Sequence, residues 1–249
     1  MAGHSQFKNI MHRKGAKDAK KAKIFTKVTR EIISAAKLGM PDPAVNPRLR
    51  SAIIWAREEN MPRDKIEAAI KRGSGNVDTD NFEEIRYEGY GVGGVAVIIQ
   101  ALTDNRNRSA SDIRAIFTKY SGNMGETGSV SFMFDRCGMI TYPLSVATEE
   151  TMFEAILEAG ADNCEADAES YTITCAQENF GAVRDALEKA YGAATSAKIT
   201  WLPKTTAPVS EDQARQLIKM VEALEDNDDV QEVFTNVEIP ESMVTALSA

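Results

Sequence analysis

The chain is poor in the residues that most enzymes and metal proteins need. It has two histidines, His4 and His12, and three cysteines, Cys137, Cys164 and Cys175, in 249 residues. The cysteines are far apart, with no CxxC and no Cys/His ligand spacing, so neither a zinc site nor a disulfide framework is expected. They read as reduced packing residues of a cytosolic protein. With both histidines at the N-terminal end, a Ser-His-Asp or Cys-His hydrolase would have no base in the rest of the chain. No P-loop lysine motif, G-x-S-x-G or H-E-x-x-H occurs. No stretch approaches the ~20 apolar residues that cross a bilayer, and no apolar signal segment opens the chain. These absences predict a cytoplasmic, non-enzymatic protein with no cofactor, no metal and no membrane partner.

What the chain does have is charge, unevenly placed. Met1–Gly75 holds 17 Lys/Arg against 7 Asp/Glu, which leaves 12 basic and 30 acidic groups for the other 174 residues. The first segment is therefore at +10 and the remainder at −18, against a net −8. A basic head on an acidic body predicts that the head meets a polyanion. The alternative is an ordinary solvated lysine-rich face.

Periodicity divides the chain further. Met1–Lys14 has none and reads as an arm that orders on a partner. From Lys17 a helix is predicted, with Phe25, Val28, Ile32, Ala35 and Leu38 as its buried stripe. At 100° per residue, Lys20, Lys23, Lys27, Arg30 and Lys37 gather within about a third of the circumference on another side. Gly39 is placed as a left-handed C-terminal cap, with Pro41 and Pro43 beyond it. Asn46-Pro47 opens a second helix and Met61-Pro62 a third. Residues 1–75 thus read as a basic three-helix domain, and Ser74–Asn81 as a linker.

The remainder alternates between strands and helices. Val95–Leu102 reads as a buried strand, Ser109 with Asp112 as the cap of a helix reaching Tyr120, and Val130, Phe132 and Phe134 as one face of a second strand. Between residues 136 and 202, strand-helix-strand occurs twice, the pattern of a ferredoxin-like split unit. A helix from Ser210 and a strand at Val230–Val237 complete the chain. The fold class predicted is α+β: the three-helix domain, then two ferredoxin-like domains, one inserted into the other. The outer domain uses residues 82–135 and 203–249, and the inserted one residues 136–202.

Several patterns compete as sites. Gly89-Tyr90-Gly91-Val92-Gly93-Gly94 fits G-x-G-x-x-G, but it precedes a strand instead of opening a helix, so it reads as a turn. Glu222, Glu225, Asp226, Asp228 and Asp229 read as a solvated helix end, a repellent for stray nucleic acid, or a surface for a basic partner. The nucleic-acid-binding candidates are Lys8, His12, Arg13, Lys14, Lys17, Lys20, Lys21, Lys23, Lys27, Arg30, Arg48 and Arg50. The loop Asn105, Arg106, Asn107 and Arg108 is a second candidate, with a plain helix-capping loop as the alternative. Phe7 and Trp55 offer rings that stack on bases or pack internally.

Ordered blocks across nearly the whole chain resemble the YebC/PmpR family. They are Met1-Ala2-Gly3-His4-Ser5, His12-Arg13-Lys14, Lys23-Ile24-Phe25-Thr26-Lys27, Asn46-Pro47-Arg48-Leu49-Arg50, Tyr87-Glu88-Gly89-Tyr90-Gly91, Asp104-Asn105-Arg106-Asn107-Arg108 and Asp228-Asp229-Val230-Gln231-Glu232-Val233. One departure is Gln6-Phe7, where the family often has Lys-Trp. The resemblance implies a helical domain and two α+β domains, one within the other, and no established enzyme activity. It also implies regulation of gene expression. Members are commonly described as DNA-binding transcriptional regulators. Others, including the mitochondrial activator of cytochrome c oxidase translation, act on the ribosome, some by relieving stalling at proline-rich stretches. The partners expected are therefore DNA, or ribosomal RNA and tRNA. A protein-interaction scaffold using the acidic body is a third reading.

Overall fold

The computed structural model describes residues 17–75, 81–240 and 243, with 17–20 as backbone alone. The predicted arm, with Phe7, Lys8, His12, Arg13 and Lys14, lies outside the described residues. The chain divides into two compact units, residues 1–133 with 203–249, and residues 134–202.

Among the described residues, the first unit has three helices ahead of its sheet, α1 (Lys17–Leu38), α2 (Pro47–Glu58) and α3 (Arg63–Ser74). Val28, Ile32 and Ala35 are buried as their spacing requires, against Leu49, Ala52, Ile53 and Ala56 of α2 and Ile66 and Ala69 of α3. Each large aliphatic side chain removed from water here contributes roughly 1.5–3 kcal/mol. Trp55 packs on the same core. Asn46 caps α2, its Oδ1 accepting from the Leu49 N–H. Its Nδ2 also donates to the carbonyls of Ala35 and Met40, which pins the loop between α1 and α2.

Two local expectations need correction. Leu38 is 71% exposed, because α1 ends there and the chain turns away before the side chain reaches the core. Gly39 is not left-handed; a Cβ there would stand 2.6 Å from Asn46 Nδ2, so close approach is what requires glycine.

The same unit contains a sheet of β1 (Glu83–Tyr90), β2 (Ala96–Thr103), β3 (Asn123–Met124) and, later in sequence, β9 (Val230–Thr235), in the order β3-β1-β2-β9. Helix α4 (Arg106–Lys119) follows β2. Val95 and the alternate β2 residues Val97, Ile99 and Ala101 share a core with Ile113 and Phe117 of α4 and with the later helix α7 (Glu211–Glu225). All three strand pairings are antiparallel. This is the ferredoxin-like arrangement with one inner strand, β1, moved to the start of the domain. The sequence pattern leaves β1 unassigned and places the next strand at Val130–Phe134. Ser131–Met133 is instead a 3₁₀ turn, and Phe132 is 63% exposed while Val130 and Phe134 are buried. Between β1 and β2, Val92–Gly94 forms a single 3₁₀ turn in which Gly93 and Gly94 have positive φ.

The second unit runs β4 (Phe134–Pro143), α5 (Glu149–Ala159), β5 (Asn163–Ala166), β6 (Ser170–Ala176), α6 (Phe180–Tyr191) and β7 (Ser196–Pro203). Its sheet order, β5-β6-β4-β7, is the ferredoxin-like one. Ile140 pairs with Ile173 and Tyr142 with Tyr171, and both pairs pack under Met152 and Ile156 of α5 and Val183 and Leu187 of α6. In the first unit, the short strands β8 (Ala207–Pro208) and β10 (Val237–Glu238) pair in parallel. No helix among the described residues is long and apolar enough to cross a membrane.

Candidate nucleic-acid interface

Helix α7 ends without a basic residue in its last turn. Its final carbonyls and the negative end of its dipole therefore need cations from elsewhere. Helix α1 supplies them. Lys27 Nζ donates to the Glu225 carbonyl at 2.6 Å, Lys23 Nζ to the Asp226 carbonyl at 3.0 Å, and Arg30 Nη1 to the Asp228 carbonyl at 2.6 Å. Lys23 also pairs with the Asp226 carboxylate. Lys27 is only 7% exposed, and burial pushes its ammonium below the usual lysine pKa despite Glu225, Asp226 and Asp228 nearby. Of the residues predicted to contact phosphate, Lys27 and Arg30 thus have their charges committed within the protein. Their charges face the protein's own acidic helix end, because an amphipathic helix at this crossing buries its cationic side as well as its apolar side.

Asp229 holds this contact together. Its carboxylate is buried and accepts from Arg30, from Arg108 Nη2 at 2.8 Å, from Ser109 Oγ at 2.7 Å and from Thr103 Oγ1 at 3.1 Å. Burial alone would raise this carboxyl; the hydrogen bonds from Ser109, Arg108 and Arg30 outweigh it and hold it below the ordinary aspartate range. Ser109 is thus a buried network residue, not the cap predicted. The cap of α4 is Asn105, whose side chain accepts from the Arg108 N–H. The second candidate loop proves to be the cap and first turn of α4; all four residues are exposed, Asn105 and Arg108 being also tied into the cap and the Asp229 network. Arg106 lies 3.9 Å from Glu83.

The other candidates separate in the same way. Arg48 bonds Glu31 at 2.7 and 3.0 Å and pairs with Glu84, tying α2 to α1 and β1. Arg50 is half-buried and makes no ion pair among the described residues. Lys17 and Lys20 lie on α1, where only the backbone is described. Lys21 is exposed, its ammonium 5.7 Å from the centroid of the Phe25 ring. Lys65, on α3, reaches the same ring at 5.5 Å. Two ammonium groups on different helices thus converge on one half-buried aromatic ring. Lys65 is absent from the sequence-predicted set, since no local pattern links it to Phe25 forty residues earlier. Helical spacing assigns Phe25 to the core stripe alone, whereas its ring also reaches the surface.

Two family models match the chain. One, described as the TACO1/YebC protein N-terminal domain, covers residues 5–76. The other, described as the TACO1/YebC second and third domain, covers residues 82–237. The chain belongs to the TACO1/YebC family. It is also similar to the crystal structure of a conserved hypothetical protein from Aquifex aeolicus, with 46% identity and a TM-score of 0.79 over 90% of this chain and 93% of that one. Membership of the TACO1/YebC family supports a transcription-regulator-like or translation-related role. The helical head followed by α+β sheets is the fold expected of such a member.

Proposed function

We propose that the protein is a non-enzymatic, cytosolic regulator of gene expression that binds nucleic acid through the outer cations of its helical head. The observation carrying this reading is the convergence of Lys21 and Lys65 on Phe25. Ammonium groups contact phosphates without reading sequence, and a half-buried ring beside them offers a base a stacking surface. Lys71, exposed and without an ion pair among the described residues, extends the positive surface along α3.

Structured RNA, as on the ribosome, suits this surface better than duplex DNA. A groove-reading helix needs one long face clear of protein. Helix α1 has its apolar side against α2 and α3 and its Lys23–Arg30 side against the end of α7. The exposed side of α3 mixes Arg63, Lys65 and Lys71 with Asp64 and Glu67. An irregular RNA surface, with splayed bases and closely spaced phosphates, asks only for scattered cations and a ring. The DNA-binding transcriptional reading is the competing one.

Co-sedimentation with ribosomes, run beside binding to duplex DNA at matched salt, tests the choice. Ribosome association is expected to survive physiological salt while DNA binding collapses. Salt-resistant binding to particular DNA, with no ribosome association, would establish the transcriptional reading instead.

A further inference from the structure

Six of the seven large hydrophobic side chains exposed among the described residues fall into two patches. The first lies on the helical head. Leu38, Met40, Val45 and Ile54 are 71%, 64%, 60% and 43% exposed, and all belong to the end of α1, the Asn46-pinned loop or α2. A shallow groove that takes in Ile54 is lined by Pro43, Ala44, Arg50, Ile53, Ile54 and Arg57. Arg50 and Arg57 make no ion pair among the described residues, and Arg50 Nε is buried with no hydrogen-bond partner there. An apolar groove with two uncommitted guanidinium groups is shaped for an apolar surface that brings carboxylates.

The second patch lies on α5 of the other unit. Phe153 and Leu157, four residues apart, are 48% and 68% exposed on one side of the helix. At 100° per residue, Glu149 flanks this pair on one side and Glu150, Glu154 and Glu158 follow on the other. All four glutamates are exposed, and none makes an ion pair among the described residues. One patch is apolar with free arginines, and the other is apolar with free glutamates. Contiguous exposed apolar surface rimmed by charge marks an interaction site.

We propose that these patches are partners, and that the occupant of the arginine-lined groove is helix α5 of a second copy of this chain. Phe153 and Leu157 enter the groove beside Ile54, and Glu150 and Glu154 meet Arg50 and Arg57. The contact joins two different surfaces, so it is head-to-tail. Such contacts build chains or rings, not isologous dimers. Each copy carries a net charge of −8. Long-range repulsion therefore opposes association at low salt. At physiological ionic strength the Debye length of about 8 Å screens that repulsion and leaves direct contacts in place.

Sedimentation velocity across a concentration series, on nuclease-treated protein at physiological salt, tests this. The wild type is expected to associate as concentration rises. Arg50→Glu with Arg57→Glu, and separately Glu150→Arg with Glu154→Arg, are each expected to weaken association about tenfold or more. All four positions are half-buried or exposed and lie outside the ion pairs that organise the fold, and circular dichroism checks that both variants remain folded. The decisive sample is an equimolar mixture of the two variants. The groove variant keeps a native α5, and the α5 variant keeps a native groove, so these two surfaces meet unaltered. The two altered surfaces are complementary as well, an acidic groove facing a basic helix. The mixture is thus expected to recover association that neither variant shows alone. A wild type that stays monomeric at every concentration overturns the proposal. So does association unaffected by either variant, or a mixture that stays monomeric.

Discussion

Lys21 and Lys23 are two residues apart on one helix and have opposite surroundings. Lys23, with Lys27 and Arg30, lies against the carbonyls and carboxylates that close α7. Lys21, with Lys65, lies over Phe25 at the surface. The charge asymmetry of the sequence signals a polyanion opposite the head. It does not say that one such polyanion is the protein's own acidic helix end. Cations facing inward should govern stability, and cations facing outward should govern binding. Perturbing each set separately tests that division.

The largest effect is expected at Asp229. Replacing it with Asn leaves Arg30 and Arg108 facing each other's charge without the buried carboxylate they share, Arg108 keeping only its pair with Asp104. Removing one partner of such a network costs about 3–5 kcal/mol, read as a lower urea midpoint with an unchanged slope. The pH dependence has a definite sign. The Asp229 carboxyl is depressed in the folded state. Its contribution is therefore full above the unfolded aspartate pKa of about 3.9 and is lost as pH falls through the lower folded value. The gap between wild type and Asp229→Asn should be constant near neutrality and close in acid. A gap that persists unchanged below that range would mean that Asp229 acts by packing alone.

Glu88 offers a second, smaller perturbation, away from the head. It is fully buried and accepts from the N–H groups of Val130 and Ser131 at 2.9 and 2.8 Å. Burial alone would raise its carboxyl, but the backbone N–H groups of Val130, Gly128 and Ser131, with Arg86, bring it below the ordinary range. Glu88→Gln keeps the shape and loses the charge, at a cost of about 1–3 kcal/mol. Hydrogen exchange should show Val130 and Ser131 opening first, with the head unaffected. Equal loss of protection in α1 would break the separation of regions.

These two carboxylates also mark where the sequence stops being legible. The head is readable because its apolar residues recur at helical spacing and Asn46-Pro47 announces α2. Strand β1 is not, although Ile85 and Tyr87 alternate with Glu84, Arg86 and Glu88. A buried Glu88 contradicts the pattern of a half-exposed strand until its backbone donors, some forty residues downstream, are known. Strand β3, two residues long, leaves no periodicity to detect. Alternation makes Phe132 a core residue, but a 3₁₀ turn breaks the alternation there. In the candidate site, residue type is visible and pairing is not. The partners of Lys23, Lys27 and Arg30 lie about two hundred positions away. The acidic run at Glu222–Asp229 is visible in the sequence, but nothing local shows that its backbone carbonyls meet α1 of the same chain.

Lys27→Met should have a smaller effect on stability, about 1 kcal/mol. It keeps the packed stem and removes the ammonium that Glu225 accepts from. Because this charge is buried, nucleic-acid affinity and its salt dependence should be unchanged at temperatures where the variant is folded. A large loss of affinity with stability intact would return Lys27 to the binding surface.

The smallest effect on stability belongs to Lys21→Glu with Lys65→Glu, and it is the sharpest test of the comparison. Both side chains are exposed, and their only described contacts are with the Phe25 ring. Surface changes of this kind usually move stability by no more than about 0.5 kcal/mol. If each lysine neutralises one phosphate, the slope of log affinity against log salt should become shallower by about 1.5. Affinity should fall most at low salt, where released counterions matter most. Phe25→Leu separates the ring from the charges. It should weaken binding without changing the slope, since a stacking surface carries no counterion. A slope that stays the same in the lysine variant would remove Lys21 and Lys65 from the interface. The outer cations would then be no more engaged with nucleic acid than the inner ones.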